Sequence, residues 1–205
     1  AGLGAAGVAL IADIGRNPTV PGANDNLSGV AVLVAIAEAL NDRPIEGLQV
    51  WLVSAGAEET LQDGIRAFFE RHGGELRDRG VACLNFDSVG SPHLAMLEGE
   101  GPLWMEIYKG EWFRDLIERV AREQGVPLER GLTARSSTDS VISSRAGLPT
   151  TCLVSLTDFR TLSNYHLPSD TADNLDYGTV ADAARLGEAI TRELAKREAT
   201  PPVSA

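Results

Sequence analysis

LSGVAVLVAIAEALNDRPIEGLQVWLVS, residues 27–54, carries the two hydrophobic periods that set the fold. Between Leu27 and Leu40 apolar side chains recur at Val30, Val32, Leu33, Ile36, Ala37 and Leu40. That is the spacing of one helix face, and Asn26 or Ser28 stands where a cap belongs. Leu48–Ser54 (LQVWLVS) is an apolar run rich in branched and aromatic residues, the pattern of a strand covered on both faces. The same alternation continues downstream. Helices are predicted over Ile65–His72, Trp112–Gln124, Thr138–Ala146 and Tyr177–Lys196, and strands over Val81–Phe86, His93–Leu97 and Thr150–Leu156. Thr138 caps the shortest helix, which Gly147 and Pro149 stop. Such alternation argues for an α/β fold, a three-layer α/β/α sandwich around a largely parallel central sheet. Ligands of such sheets bind beyond the carboxyl ends of the strands.

No repeat, low-complexity tract or interdomain linker interrupts the pattern, so residues 1–205 read as one domain. A hydrophobic content of 43% supports a substantial core and excludes a disordered or fibrous chain. The formal charge of -11 opposes nonspecific attraction to nucleic acid and anionic lipid, and favours cations and cationic ligands. Within residues 1–20, AGLGAAGVALIADIG is apolar but too short to span a bilayer, and it lacks the basic lead-in of a signal peptide. It reads either as an ordinary buried strand or helix or as an internal stretch of a longer protein. The second reading carries an expectation of secretion, or of membrane association through upstream sequence; otherwise a cytoplasmic location is expected. Residues 198–205, EATPPVSA, form a polar tail expected to be flexible. Cys83 and Cys152 lie in apolar stretches that suit small core residues, although two cysteines also permit a disulfide.

Acidic residues fall at element boundaries: Asp25 just before a helix, Glu58 and Glu59 just after a strand, Asp87 at a strand end. His166 lies in a polar loop before the last helix. Carboxylate oxygens plus an imidazole suit Zn²⁺, or Mn²⁺ and Co²⁺, and clustered carboxylates repel one another unless a cation neutralises them. Spacing alone leaves the alternative of separate, solvated surface acids.

Four segments change that balance: PGANDNLSGVAVLVAIAEAL (21–40), VWLVSAGAEE (50–59), LNFDSVG (84–90) and NYHLPSDTADNLD (164–176). In motif, order and spacing they resemble the M28 family of zinc aminopeptidases, from about Pro21 to Lys196. The resemblance implies a mixed-sheet, phosphorylase/hydrolase-like zinc exopeptidase fold with a co-catalytic pair of zinc ions. It makes Asp25 the carboxylate bridging both metals, before a peptide bond to Asn26 that is often cis in the family. It makes Glu58 the general base and Glu59 a metal ligand, with Asp87 and His166 the terminal ligands of the first and second metal. The implied reaction removes an N-terminal residue from a peptide or small amide by metal-assisted hydrolysis. In it Glu58 takes the proton of the attacking water and passes it to the leaving amine. Asp170, four residues after His166, is placed to hold the imidazole or cap the loop. Asp139, in SSTDS, matches a loop where a polar residue lines the family's substrate cleft, and equally suits a helix cap.

The chain also departs from the family. The first metal's histidine, from a His-x-Asp strand shortly before the GANDN segment, is missing: ALIADIGRN offers Asp13, with Ile11 where the histidine is expected. Either that strand lies upstream of an insertion, or the ligand is lost and the site holds one ion or none. A noncatalytic binding module and a single-zinc, glutaminyl-cyclase-like acyltransferase are therefore the alternatives. His72, at a charged helix end, reads as a capping or surface residue, and His93 as structural. Ser140 and Cys152 lack the surroundings of a nucleophile. Trp104, Tyr108 and Trp112 suit a side-chain pocket or ordinary core packing.

Overall fold

The backbone of the computed structural model is described for residues 15–197 and for Gly4, Gly7, Val8, Ala12 and Asp13. The expected flexible tail, residues 198–205, lies outside the described residues, as does much of the apolar N-terminal stretch; its Val8 is helical and exposed. Five strands form one sheet: β1 (Cys83–Phe86), β2 (His93–Glu100), β3 (Glu106–Ile107), β4 (Glu129–Ala134) and β5 (Thr150–Leu156). They are ordered β1-β5-β2-β3, with β4 also paired to β2. The β1–β5 and β2–β4 ladders are parallel, and β2 runs antiparallel to β5 and β3, which makes the sheet mixed.

Side chains alternate across the pleat of β2 and so separate two cores. Leu94 and Met96 face a layer of three helices: α1 (Ser28–Asp42), α3 (Glu111–Gln124) and α5 (Tyr177–Ala195). Ala95 and Leu97 face the opposite layer, where Val141 of α4 (Asp139–Arg145) packs and α4 meets α2 (Asp63–Asp78). Gly187 lets α5 press on α1 and β1, since a Cβ there would lie 2.6 Å from Ile36 and 2.7 Å from Phe86. The stretch Ala23–Asp42 is long and apolar enough to cross a membrane, but α1 within it buries Val32 and Ile36 and packs against α5.

Most predicted elements are present with small boundary changes. The helix expected to stop at His72 runs on through Gly73 and Gly74 to Asp78, because burial of Leu76 outweighs the low helix propensity of glycine. Leu48–Ser54 differs more. It is not a strand: it pairs with no described strand, and Trp51 and Leu52 are 38% and 41% exposed. An apolar run specifies burial, but a strand also requires an edge to pair with. Here the run and β1 line a common cavity of about 710 Å³, together with residues of α1, α2 and α5. Trp51 packs edge-on against Phe68 and His72 of α2, at 6.1 and 5.4 Å. β3 and β4 have no counterpart among the predicted strands; ERGLTA alternates half-buried and exposed positions but holds too few apolar side chains to show that period.

Candidate functional site

Asp25 lies in the loop that feeds α1, where it and Asn26 have nonhelical φ/ψ and are joined by a cis peptide bond. The flanking asparagines tie this loop to the end of β1. Asn24, 1% exposed, accepts from Gly90 N at 2.7 Å and donates from Nδ2 to Ser91 Oγ and Ser163 O, both at 3.3 Å. Asn26 donates to Phe86 O at 2.9 Å and accepts from Ser88 N and Gly29 N, both at 3.1 Å. Asn26 thus caps α1, while Ser28 Oγ donates to Asn24 O at 2.6 Å and accepts from Val89 N at 3.0 Å. Gly29 permits the close approach: a Cβ there would stand 2.4 Å from Phe86 O.

Asp170 closes the loop from the other side. Its buried carboxylate accepts from Asn24 N at 2.7 Å and Asp25 N at 3.2 Å. Of the two expected arrangements, holding the imidazole or capping the loop, the contacts show capping, and the loop capped is that of Asp25. Among the described residues no hydrogen bond joins Asp170 to the His166 ring.

Asp87 extends β1, donating from its N to Leu153 O and accepting from Ser88 Oγ, both at 3.0 Å. Glu58 and Glu59 share a single helical turn, Glu58–Thr60, entered through left-handed Ala57 (φ 58°) and left through Leu61 (φ 67°) and Gln62 (φ 59°). Neighbouring carboxylates on so tight a turn project differently: Glu58 is half-buried and Glu59 exposed. His166 is also left-handed (φ 56°), and its Nε2 lies 2.9 Å from Glu59 Oε1 and 3.2 Å from Asp25 Oδ2. The Tyr165 ring stacks on the imidazole, with centroids 3.8 Å apart.

The acids lie near enough to perturb one another. Burial raises the Asp25 carboxyl, and the Glu59 charge adds to it. Burial raises Glu58, a hydrogen bond from Gln62 opposes the rise, and Glu59 and Asp25 add to it. Burial, then the Asp25 charge, holds Asp87 up at about 7. Burial, then the Glu58 charge, holds Asp139 at about 6. Asp139 Oδ1 is buried without a partner, and the cap of α4 is Thr138, whose hydroxyl accepts from Ser140 N. Among the described residues no lysine or arginine pairs with any of these five carboxylates. Asp25, Glu59 and His166 each offer one ligand atom, all within 4.8 Å of one another; Asp87 stands outside that trio.

Four contributors carry no signal of their role in motif or period, or almost none. Asn24 and Gln62 act through their side-chain amides, and Glu100 is a buried acid on β2. The Tyr165 phenol is pushed up to about 12 by burial and then by Asp25, Glu59, Asp87 and Glu58. Only Asn24, adjacent to Asp25, and Tyr165, adjacent to His166, are signalled by their positions. Of the other residues singled out in the sequence, His72 and Trp104 depart from their expected places and the rest keep one of theirs. His72 neither caps nor stands free: it packs on Phe68 at 5.0 Å. His93 lies 2.6 Å from Asp158 at the surface. Trp104 is 80% exposed and belongs to no core. Tyr108 is core but hydrogen-bonds Glu100, and half-buried Trp112 lies under Arg197. Both cysteines are free, and burial pushes the Cys83 thiol up to about 12.

In protein stripped of divalent ions these carboxyls make stability fall as pH rises. Asp87 titrates near 7 when folded and near its ordinary 3.8 when unfolded, so the folded chain holds the extra proton between those values. Its stabilisation is complete below about pH 4 and is lost as pH rises through 7. At about 1.4 kcal/mol per pH unit, Asp87 contributes at most roughly 4 kcal/mol, and Asp139 acts in the same direction. Denaturant unfolding of chelated protein between pH 5 and 8 measures this; stability that rises across that interval contradicts the assignment.

The chain matches peptidase family M28 over residues 8–191. No curated protein matches it. Among solved structures, BSAP, a zinc aminopeptidase from Bacillus subtilis, aligns with a TM-score of 0.72 at 22% identity, covering 92% of this chain and 47% of that one. An aminopeptidase from Aneurinibacillus sp. strain AM-1 aligns with a TM-score of 0.66 at 21% identity, covering 83% and 39%. A glutaminyl cyclase from an Acidobacteriales bacterium gives 0.66 at 20%, covering 86% and 63%. These likenesses establish the fold, and the chain spans less than half the length of either aminopeptidase. With its α/β fold shared and most of its length matched, the chain belongs to peptidase family M28.

Proposed function

We propose that this chain carries the site of a zinc-dependent aminopeptidase-like hydrolase that removes N-terminal residues from peptides. The observation behind this reading is the convergence of Asp25, Glu59 and His166, with Glu58 on the same turn as Glu59. The donor set fits the ion: two carboxylates and an imidazole suit zinc, and three protein ligands leave a position open, as catalytic zinc sites do. The surroundings fit it as well, since acids raised by burial and mutual repulsion have, among the described residues, no lysine or arginine to neutralise them. Zinc held there would supply Lewis acidity towards a water and the scissile carbonyl.

The residues do the rest. Glu58, half-buried and a poor anion in its surroundings, accepts the proton of the attacking water and returns it to the leaving amine. Asp170 and Asn24 keep the Asp25 loop in one conformation, which preorganises the ligand. Asp87, electrostatically tied to Asp25, is the ligand available to a second ion, which lacks a histidine in this chain. The acidic surroundings favour a substrate whose free N-terminus is cationic.

One complete ligand trio also favours a second reading, single-zinc acyl transfer of the glutaminyl-cyclase kind. Both are tested by titrating zinc into chelated protein and assaying release of nitroaniline from amino-acid nitroanilides beside cyclisation of an N-terminal glutamine peptide. Zinc-restored hydrolysis supports the first reading, and cyclisation without hydrolysis supports the second. A protein that binds no zinc overturns both and leaves a noncatalytic binding module.

A further inference from the structure

Gln62 has a left-handed backbone (φ 59°), costly for any residue but glycine, and is only 7% exposed. That backbone sends its amide back under the turn that carries Glu58. Nε2 donates to Glu58 Oε1 at 3.1 Å and to Ser137 O at 3.0 Å. Among the described residues Gln62 is the sole side chain that hydrogen-bonds the Glu58 carboxylate.

The Ser137 end of this bridge is anchored in turn. Glu100, 0% exposed at the end of β2, accepts from Ser136 Oγ at 2.7 Å, from Thr138 Oγ1 at 2.7 Å, from Thr138 N at 3.1 Å and from the Tyr108 hydroxyl. A buried carboxylate with four donors holds its partners in one geometry, because losing any of them leaves charge unsatisfied in the interior. The segment 136–138 is thereby fixed to β2, and its carbonyl gives Gln62 a stationary point from which to hold Glu58.

We infer that Gln62 is the positioning residue for Glu58, tying its carboxylate through Ser137 to the sheet. The inference rests on the reading of Glu58 as the base. A primary amide suits this bridge because it has two N–H donors on one nitrogen, one for the carboxylate and one for the carbonyl. Methionine in its place fills similar volume without a donor. Lysine keeps the donors at similar reach.

Crystal structures, zinc content and steady-state kinetics of Gln62→Met and Gln62→Lys test the assignment. Gln62→Met is expected to displace the Glu58 carboxylate and lower kcat about tenfold, with KM within about twofold and zinc content unchanged. Gln62→Lys is expected to leave the Glu58 carboxylate in its place and to move the acidic limb of the kcat–pH profile to lower pH, because its ammonium favours the charged carboxylate. A merely structural role would give neither a displaced Glu58 in Gln62→Met nor that movement in Gln62→Lys. If Glu58 keeps its place in Gln62→Met, the positioning role is overturned whatever the kinetics. If the unsubstituted protein neither binds zinc nor hydrolyses, the functional reading falls, while a displaced Glu58 in Gln62→Met still sustains the positioning role.

Discussion

Glu58→Gln is expected to lower kcat by about 10³-fold while zinc content and KM stay within about twofold, the signature of losing a proton-transferring group. The substitution is nearly isosteric. Gln62 Nε2 can still donate to the amide oxygen at position 58, and the turn is held by backbone bonds such as Gln62 N to Glu58 O at 2.8 Å. What disappears is the capacity to take a proton. Glu58 suits that capacity, because burial, opposed by the Gln62 hydrogen bond and helped by the charges of Glu59 and Asp25, raises its carboxyl above the ordinary glutamate value, the direction that favours a general base. The same substitution at Glu59 should behave differently, lowering zinc affinity first, since Glu59 belongs to the trio around His166. Zinc titration followed by kinetics at saturating metal separates the two. A Glu58→Gln protein that holds zinc and keeps kcat within tenfold removes Glu58 from the chemistry.

The parts of this molecule that are legible in the sequence are those whose signal is local. β5 is bounded to the residue because every position of Thr150–Leu156 is buried and both ends carry turn residues. α3 and α5 announce themselves through apolar residues at helical spacing. Leu48–Ser54 shows the limit of that logic. Its composition reports a wish for burial, whereas strand formation depends on an edge elsewhere in the chain, and in this structure β1 and the run face a shared cavity. The site divides in the same way. Asp25, Glu58, Glu59, Asp87 and His166 can be named because motif wording marks them. Asp170 can be named from its nearness to His166, but its partner cannot: it reaches Asn24 across 146 positions. Asn24, Gln62 and Glu100 also work through contacts far apart in sequence, as where Gln62 reaches Ser137 across 75. No period or motif records such a pairing.

Asp170→Ala is expected to cost roughly 2–5 kcal/mol of stability and to weaken zinc binding about 10- to 100-fold. Two backbone N–H groups, of Asn24 and Asp25, now end on its carboxylate at 2.7 and 3.2 Å, in surroundings where Asp170 is 1% exposed. Alanine leaves both donors without an acceptor and opens a void beside them, and charge-assisted bonds of this kind contribute more than neutral ones. The effect should not stop at stability, because the freed loop is the one that carries Asp25, a member of the trio with Glu59 and His166. Asp170→Asn should fall between: one oxygen can still accept, while the amide nitrogen meets a second N–H head-on. Asp173→Ala, exposed in the same segment, is the control and should change neither property. Denaturant unfolding of chelated protein gives the stability change, and competitive zinc titration at a temperature where every variant is folded gives the affinity change. A destabilised Asp170→Ala protein with undiminished zinc affinity would mean that the Asp25 loop keeps its shape through Asn24 and Asn26 alone.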